Sequence, residues 1–125
     1  LIVLLTVSFS GQAITRLASQ QTAGTMTTSG DVIAFGPIGS LGFGSIGVEA
    51  RGTWTGTVAI ECAASTGGGT FVAIQLLPRN SPTVVTSFTA NGQWSGSIVG
   101  CQRVQARATA AMTGTVTIAM VGVFE

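Results

Sequence analysis

GTWTGTVAIECAASTGGGTF, residues 52–71, decides the fold of this chain. Its first half alternates apolar residues with threonines, which is the period-2 pattern of a β-strand with two different faces. Gly67-Gly68-Gly69 then marks a turn, and Thr70-Phe71 opens a second strand. The stretch therefore predicts two strands joined by a glycine turn, with threonines where most proteins carry charges.

The composition extends this prediction to the whole chain of 125 residues, which is the length of a single domain. Hydrophobic residues make up 46% and charged residues only 7%, and Lys, His and Tyr are absent. Thr and Val favour half-buried strands over helices. A net charge of +1 leaves little repulsion between copies, so we predict an all-β protein that works in an assembly.

Glycine breaks and period-2 alternation recur along the chain, and no window shows a sustained apolar stripe of helical period. The sharpest local signal is Asn91-Gly92, which predicts a two-residue type I′ hairpin because both residues tolerate positive φ. Many short strands at this spacing are typical of an antiparallel β-sandwich or a jelly roll. The predicted strands cover residues 2–9, 12–17, 31–35, 45–51, 53–62, 70–77, 83–89, 93–99, 102–110 and 114–123.

The alternation also assigns faces. We predict that Val104, Ala106 and Ala108 face the core opposite Arg103, Gln105 and Arg107, and that Val116, Ile118 and Met120 face it opposite Thr115 and Thr117. In the opening stretch, Trp54, Gly56, Val58, Ile60 and Cys62 share the apolar face, opposite Thr53, Thr55, Thr57 and Glu61. Trp54 and Trp94 are assigned to the core rather than to a sugar-stacking platform.

The N-terminal stretch LIVLLTVSFSGQA lacks the basic region of a signal peptide, and its apolar run is shorter than the about 20 residues of a membrane span. We predict a strand that lies on a neighbouring subunit or in a groove of a partner. Residues 18–29 are interpreted as a linker or extended arm, with an arm folded back on its own sandwich as the alternative. The predicted division is an arm over 1–29 and a β-sandwich over 30–125. The predicted interface residues are Leu1, Ile2, Val3, Leu4, Leu5, Val7 and Phe9.

The sequence is poor in catalytic groups. Without His or Lys there is no imidazole base and no Schiff base, so neither cysteine has a partner base. A glycosidase would need two opposed carboxylates, for which Glu49 and Glu61 are the candidates. We expect surface ion pairs instead, with Glu61 bound to Arg103 or Arg107 across adjacent strands. The protein is therefore predicted not to be an enzyme.

Metal, cofactor and nucleic-acid sites are not predicted either. Two cysteines and four scattered acids do not make a zinc or calcium site, and five arginines give no electrostatic footprint for nucleic acid. No cofactor and no membrane contact is expected. Cys62 and Cys101 form either one disulfide or two buried free thiols, and the sequence leaves both open.

An ordered set of motifs resembles a β-sandwich domain that is widespread in tailed-phage structural proteins. The set is GTWTGTVAIE at 52–61, the glycine turn ending in Thr70-Phe71, TANGQW at 89–94, VGCQRVQARATA at 99–110 and TGTVTI at 113–118. The resemblance covers roughly residues 30–123. It departs from the pattern at Ser65-Thr66 in place of the hairpin Asp, in a loop one residue longer, at Phe71 in place of Trp and at Gln105 in place of Arg.

The resemblance implies a virion component, either a head decoration (cement) protein or a tail, baseplate or fibre-associated protein. A compact domain with an arm suits a cement protein on the outer surface of the head. Its expected partners are the major capsid protein and copies of itself, by analogy as a homotrimer. The alternative is a tail or baseplate module that binds host-surface glycan, which needs an exposed aromatic platform.

Overall fold

The computed structural model describes residues 19–35, 42–65, 67 and 69–124, and these residues form two antiparallel sheets. The five-stranded sheet has the order β1-β9-β3-β7-β6, and the four-stranded sheet has the order β2-β8-β4-β5. No helix in these ranges is long and apolar enough to cross a membrane. The strands are β1 (Ser19–Met26), β2 (Val32–Phe35), β3 (Ser45–Thr55), β4 (Val58–Ala63), β5 (Val72–Ala73), β6 (Leu77–Pro78), β7 (Gly92–Ser97), β8 (Arg103–Ala108) and β9 (Thr113–Val123).

The core lies between the two sheets, and every second residue of the central strands points into it. The alternation predicted for β8 and β9 is the one observed, with side chains such as Val104 and Ile118 almost fully buried. Each large aliphatic side chain buried in this way contributes about 1.5–3 kcal/mol relative to exposure. The predicted all-β antiparallel sandwich is confirmed; the predicted strands 2–9 and 12–17 lie outside the described residues.

The opening stretch differs from its prediction in one respect. We predicted a break at Gly52 and one strand over 53–62, but β3 runs through Gly52 to Thr55 and the chain then crosses to the other sheet. Gly52 has φ +128° and lies so close to β9 that a Cβ would overlap the carbonyl oxygen of Thr115. At the crossing, Gly56 has φ +141° and its hydrogen faces Met112. Both positions suit glycine alone.

The strict alternation predicted for this stretch is also wrong in β4, where Ala59 and Glu61 are buried along with Val58 and Ile60. The outward side of β4 is covered because the long polar side chains of β8 fold over it. Glu61, which we placed at the surface, is only 4% exposed.

The predicted Asn91-Gly92 hairpin is wrong. Gly92 begins β7, which pairs with β3 and β6, and its φ is not positive. The predicted strand 83–89 before it is absent, since this segment touches its neighbours only through isolated bridges at Val85 and Phe88. Phe88 instead packs into the core and stacks on Trp94, with ring centroids 4.0 Å apart. The predicted strand 70–77 is reduced to the two short strands β5 and β6.

Residues 19–26 belong to the sheet. β1 pairs with β9 in antiparallel register along its full length, from Ser19 opposite Val123 to Met26 opposite Val116. Of the two interpretations of residues 18–29, the linker is therefore wrong for this range, and the chain folds back on its own sandwich. Met26, at the end of this strand, is fully buried in the core, which favours this path of the chain. Residues 1–18 lie outside the described residues, so the predicted arm stays a prediction for that range.

We expect Gly52→Ala to lower the free energy of unfolding by roughly 1–3 kcal/mol, because the new Cβ combines a strained φ with an overlap against Thr115. The matched control is Gly67→Ala, where a Cβ meets nothing within 4 Å. Urea denaturation of both variants checks the difference. Equal midpoints for the two variants would contradict the role given to Gly52.

Candidate functional site

The outward side of the five-stranded sheet is a broad face of small and hydroxyl side chains, called here the open face. It consists of the outward residues of β1, β9, β3 and β7. Ala23, Ala119 and Glu49 form one row across the strands, and Gln21, Val121 and Gly47 form the next. Because the central side chains are small, the middle of the face is a shallow hollow of about 280 Å³. The sequence pattern predicts the polar character of this face but not the hollow, which is formed by the small residues Ala23, Gly47 and Ala119.

Charge on the open face is close to balanced. Arg51 Nε lies 3.8 Å from Glu49 Oε1, and Gln93 Nε2 donates to Glu49 Oε2 at 3.4 Å. Arg79 lines the same hollow. The hydroxyl and amide groups of this face can hydrogen-bond to a partner that covers it. The geometry therefore suits contact with another protein.

The outward side of the four-stranded sheet holds a buried carboxylate. Arg107 donates to Glu61 from Nε to Oε1 at 2.9 Å and from Nη2 to Oε2 at 2.6 Å. Gln105, directly opposite Glu61 in the register, donates from Nε2 to Oε1 at 2.9 Å. These hydrogen bonds, above all those from Arg107, lower the pKa of Glu61, although burial opposes them. Glu61 therefore stays ionised and is held in place by its neighbours.

Of the two arginines proposed as partners of Glu61, the structure brings only Arg107 to it. Arg103 lies opposite Ala63, two residues from Gln105 along β8, and donates from Nε to the carbonyl oxygen of Ser65 at 3.0 Å. Its guanidinium also lies over the ring of Phe71, 4.6 Å from the ring centroid. Arg103 therefore binds the start of the loop after β4 and does not pair with a carboxylate.

Cys62 and Cys101 are joined by a disulfide, with a Cα–Cα distance of 5.6 Å. Cys62 lies in β4, and Cys101 lies in the connection that leads from β7 in one sheet to β8 in the other. Beside it, Gln102 N donates to the carbonyl oxygen of Ala63 at 2.9 Å. The bridge therefore fastens the crossover between the sheets to β4. Sequence alone could not choose between bridge and thiols, because the pairing depends on this crossover.

The structure separates the residues that an active site would need. Glu49 lies in β3 on the open face and Glu61 lies in β4 on the opposite outer side of the sandwich, so they form no opposed pair of carboxylates. In the described part of the chain, no group of three or more His, Cys, Asp or Glu residues could hold a metal ion.

The two tryptophans are not open platforms. Trp94 is buried against Phe88, as predicted. Trp54 is half-buried, and its Nε1 donates to Asn91 Oδ1 at 2.7 Å, while Asn91 Nδ2 donates to the carbonyl oxygen of Gly52 at 2.9 Å. Sequence analysis assigned Asn91 to a hairpin, whereas its side chain ties the loop before β7 to β3. The predicted interface residues Leu1 to Phe9 lie outside the described residues.

Comparisons with known proteins show the fold of the chain. No protein-family model matches its sequence, and no curated protein matches it. The crystal structure of the SPBc2 prophage-derived protein YomS is similar, with a TM-score of 0.66 and 20% identity over 89% of this chain and 99% of that chain. The PBSX exported protein XepA is also similar, with a TM-score of 0.68 and 16% identity over 88% of this chain. This chain spans 40% of the length of XepA. At these identities the likeness is one of fold.

We expect Glu61 to make stability depend on pH. Its pKa is lower in the folded protein than its ordinary value of 4.5, so its stabilising contribution is present above pH 4.5 and is lost as the pH falls through the folded pKa. Glu61→Gln should therefore melt below the wild type at pH 7, and the gap should narrow in acid. Glu49→Gln, which loses only contacts of 3.4 and 3.8 Å, is the control. A gap that stays constant down to pH 3 would contradict the assignment.

Removing the disulfide with Cys62→Ala and Cys101→Ala together should lower the free energy of unfolding by about 2–4 kcal/mol, because the bridge closes a long loop with a sequence separation of 39. Urea denaturation with and without dithiothreitol measures this. Reductant should shift the wild-type midpoint and leave the double variant unchanged. A wild-type midpoint that ignores the reductant would show that the bridge does not stabilise the fold.

Proposed function

We propose that this protein is a non-enzymatic structural component of a phage particle, and specifically a decoration (cement) protein that binds and stabilises the head shell. The observation that carries the proposal is the fold likeness to YomS, a prophage-derived protein that is matched over 99% of its chain by most of this one. The ordered motifs of residues 52–118 support it independently, because they resemble a sandwich domain of tailed-phage structural proteins.

The surface of the sandwich supports a role in binding. The open face is broad and carries few charges, and its hollow is lined by small side chains together with Glu49, Arg79 and Gln93. Partners for such a face are other folded proteins, here the major capsid protein or further copies of the chain. Stabilising the head shell in this way requires only binding to a complementary surface and no chemical reaction.

The groups that could do chemistry are already engaged. Glu61 is ionised and saturated by Arg107 and Gln105, so it is unsuited to donate a proton as a general acid. Glu49 lies on the opposite side of the sandwich. These placements favour the structural role over an enzymatic one.

Head decoration is preferred to a place on the tail because a sandwich that carries an apolar N-terminal stretch suits a protein that clamps neighbouring capsomers. Glycan binding by a tail module is the weaker candidate. It needs an exposed aromatic platform, and the indole N–H of Trp54 is already bound to Asn91 while Trp94 is buried.

Antibody-gold labelling of intact particles from the source lysate tests the proposal. We expect label over the head, and antibody pre-absorbed with the purified protein serves as the control. Label confined to the tail tip would overturn head decoration and direct the work to glycan arrays. Particles without any label would overturn the virion assignment and leave a likeness of fold.

A further inference from the structure

β1 is an edge strand of unusual exposure. Within the described residues it pairs with β9 alone, and all eight of its residues keep one unbroken register. It carries no charge and no proline. The other edge strands are short, four residues in β2 and two in each of β5 and β6. Proteins usually protect a long edge with charges, prolines or bulges, because its free backbone groups can pair with another strand.

The hydrogen-bond ladder shows which groups on β1 are free. Ile98 N donates to Gly44 O at 3.0 Å, and this pair lies one step beyond Ser45 opposite Ser97, where the β3–β7 register ends. Since backbone groups of successive residues point to opposite sides of a strand, even-numbered residues of β3 bond to β7 and odd-numbered ones to β9. The odd-numbered residues of β9 therefore bond to β3, and its even-numbered residues bond to β1. In the β1–β9 register these stand opposite the even-numbered residues of β1, which are thus hydrogen-bonded to β9. The N–H and C=O groups directed outward belong to Ser19, Gln21, Ala23 and Thr25.

The chain itself contains a segment that fits this edge. Residues 1–9, LIVLLTVSF, are uncharged and apolar apart from Thr6 and Ser8, and their nine residues match the eight of β1 in length. An extended strand of that size spans about 30 Å. Residues 10–18 separate the segment from Ser19 and can reach up to about 30 Å when extended.

We propose that residues 1–9 of one copy add as a strand to the β1 edge of a neighbouring copy. A return to its own edge is disfavoured because hairpin loops are mostly two to five residues long, whereas residues 10–18 are nine. A net charge of +1 leaves the copies free to approach. The contact joins two different surfaces, so it propagates from copy to copy and gives rings or chains. This inference goes beyond the proposed function, since it holds wherever the protein sits on a particle.

Two variants separate the two halves of the contact. Deleting residues 1–9 leaves an acceptor edge without a donor. Ala23→Pro leaves the donor but removes an edge N–H and blocks the added strand, while the bonds of β1 to β9 remain. We expect the wild type to form oligomers by light scattering, and each variant alone to be a monomer, 12.5 kDa for the point variant. An equimolar mixture of the two should give a species of about twice the monomer mass, since one variant donates and the other accepts.

The controls make the result specific. Val99→Lys changes an exposed side chain in the connection from β7 to β8, outside both the β1 edge and the open face, so it should assemble as the wild type does. Ala119→Lys, which changes the direct neighbour of Ala23 on the open face, separates the edge from that face. Circular dichroism melting checks that Ala23→Pro is folded, and Gln21→Pro, which removes an N–H directed the same way, replaces it if it is not.

Other outcomes overturn the proposal. A deletion variant that still associates while Ala23→Pro does not would indicate symmetric pairing of two β1 edges. Loss of assembly in Ala119→Lys but not in Ala23→Pro would indicate packing through the open face. A wild type that stays monomeric at all concentrations would indicate that the segment folds onto its own copy or onto another protein. None of these results depends on where gold labels the particle, so the proposed function stands or falls separately.

Discussion

The pairing of β3 with β9 is the constraint on which the rest of the structure depends. These two strands, 11 residues each, are in register from Ser45 opposite Val123 to Thr55 opposite Thr113. β1 attaches to one side of the pair and β7 to the other. The pairing continues past Gly52 only because that residue has no Cβ to meet Thr115. If it stopped there, the chain would leave the sheet three residues early, and β4 would not reach the opposite sheet at the register that places Glu61 beside Arg107.

The scarcity of charge gives the few ionic contacts a positional role. Among the residues that the structure describes, Glu61 is the one buried charged residue, and its carboxylate accepts hydrogen bonds from Gln105 and Arg107 of β8. A buried ion pair is weak evidence for added stability, but its loss leaves an uncompensated charge, so it opposes any slip between β4 and β8. A one-residue slip would also turn the apolar side chains of both strands outward. Polar contact and hydrophobic pattern therefore select the same register.

The sequence predicted the elements whose pattern is set locally and missed those set by the other sheet. The alternation of residues 103–108 and 113–123 was sufficient to place β8 and β9 and their inward faces. Asn91-Gly92 carries a strong local turn signal, yet Phe88 and Trp94 stack in the core and Asn91 binds Trp54, and these tertiary contacts decide the path of the chain. The sequence pattern also missed the crossing at Gly56. The alternation of apolar and polar residues continues through it, so nothing in the pattern shows that the chain changes sheets there. The hollow in the open face depends on three small residues from β1, β3 and β9, which no single stretch of sequence brings together.

The disulfide and the β1 edge differ in what they depend on: the bridge needs oxidation, whereas the edge needs only the folded sandwich. Cys62 lies in β4 and Cys101 lies in the crossover to β8, so the folded sandwich holds the two sulfurs together. A chain of this length buries about two-thirds of its surface without staples, which is sufficient for folding to precede oxidation. Disulfides persist mainly outside the reducing cytosol, so the bridge adds its stability where the surroundings are oxidising. The β1 edge, in contrast, is available as soon as the sandwich forms. The association through backbone groups proposed above therefore does not depend on the bridge.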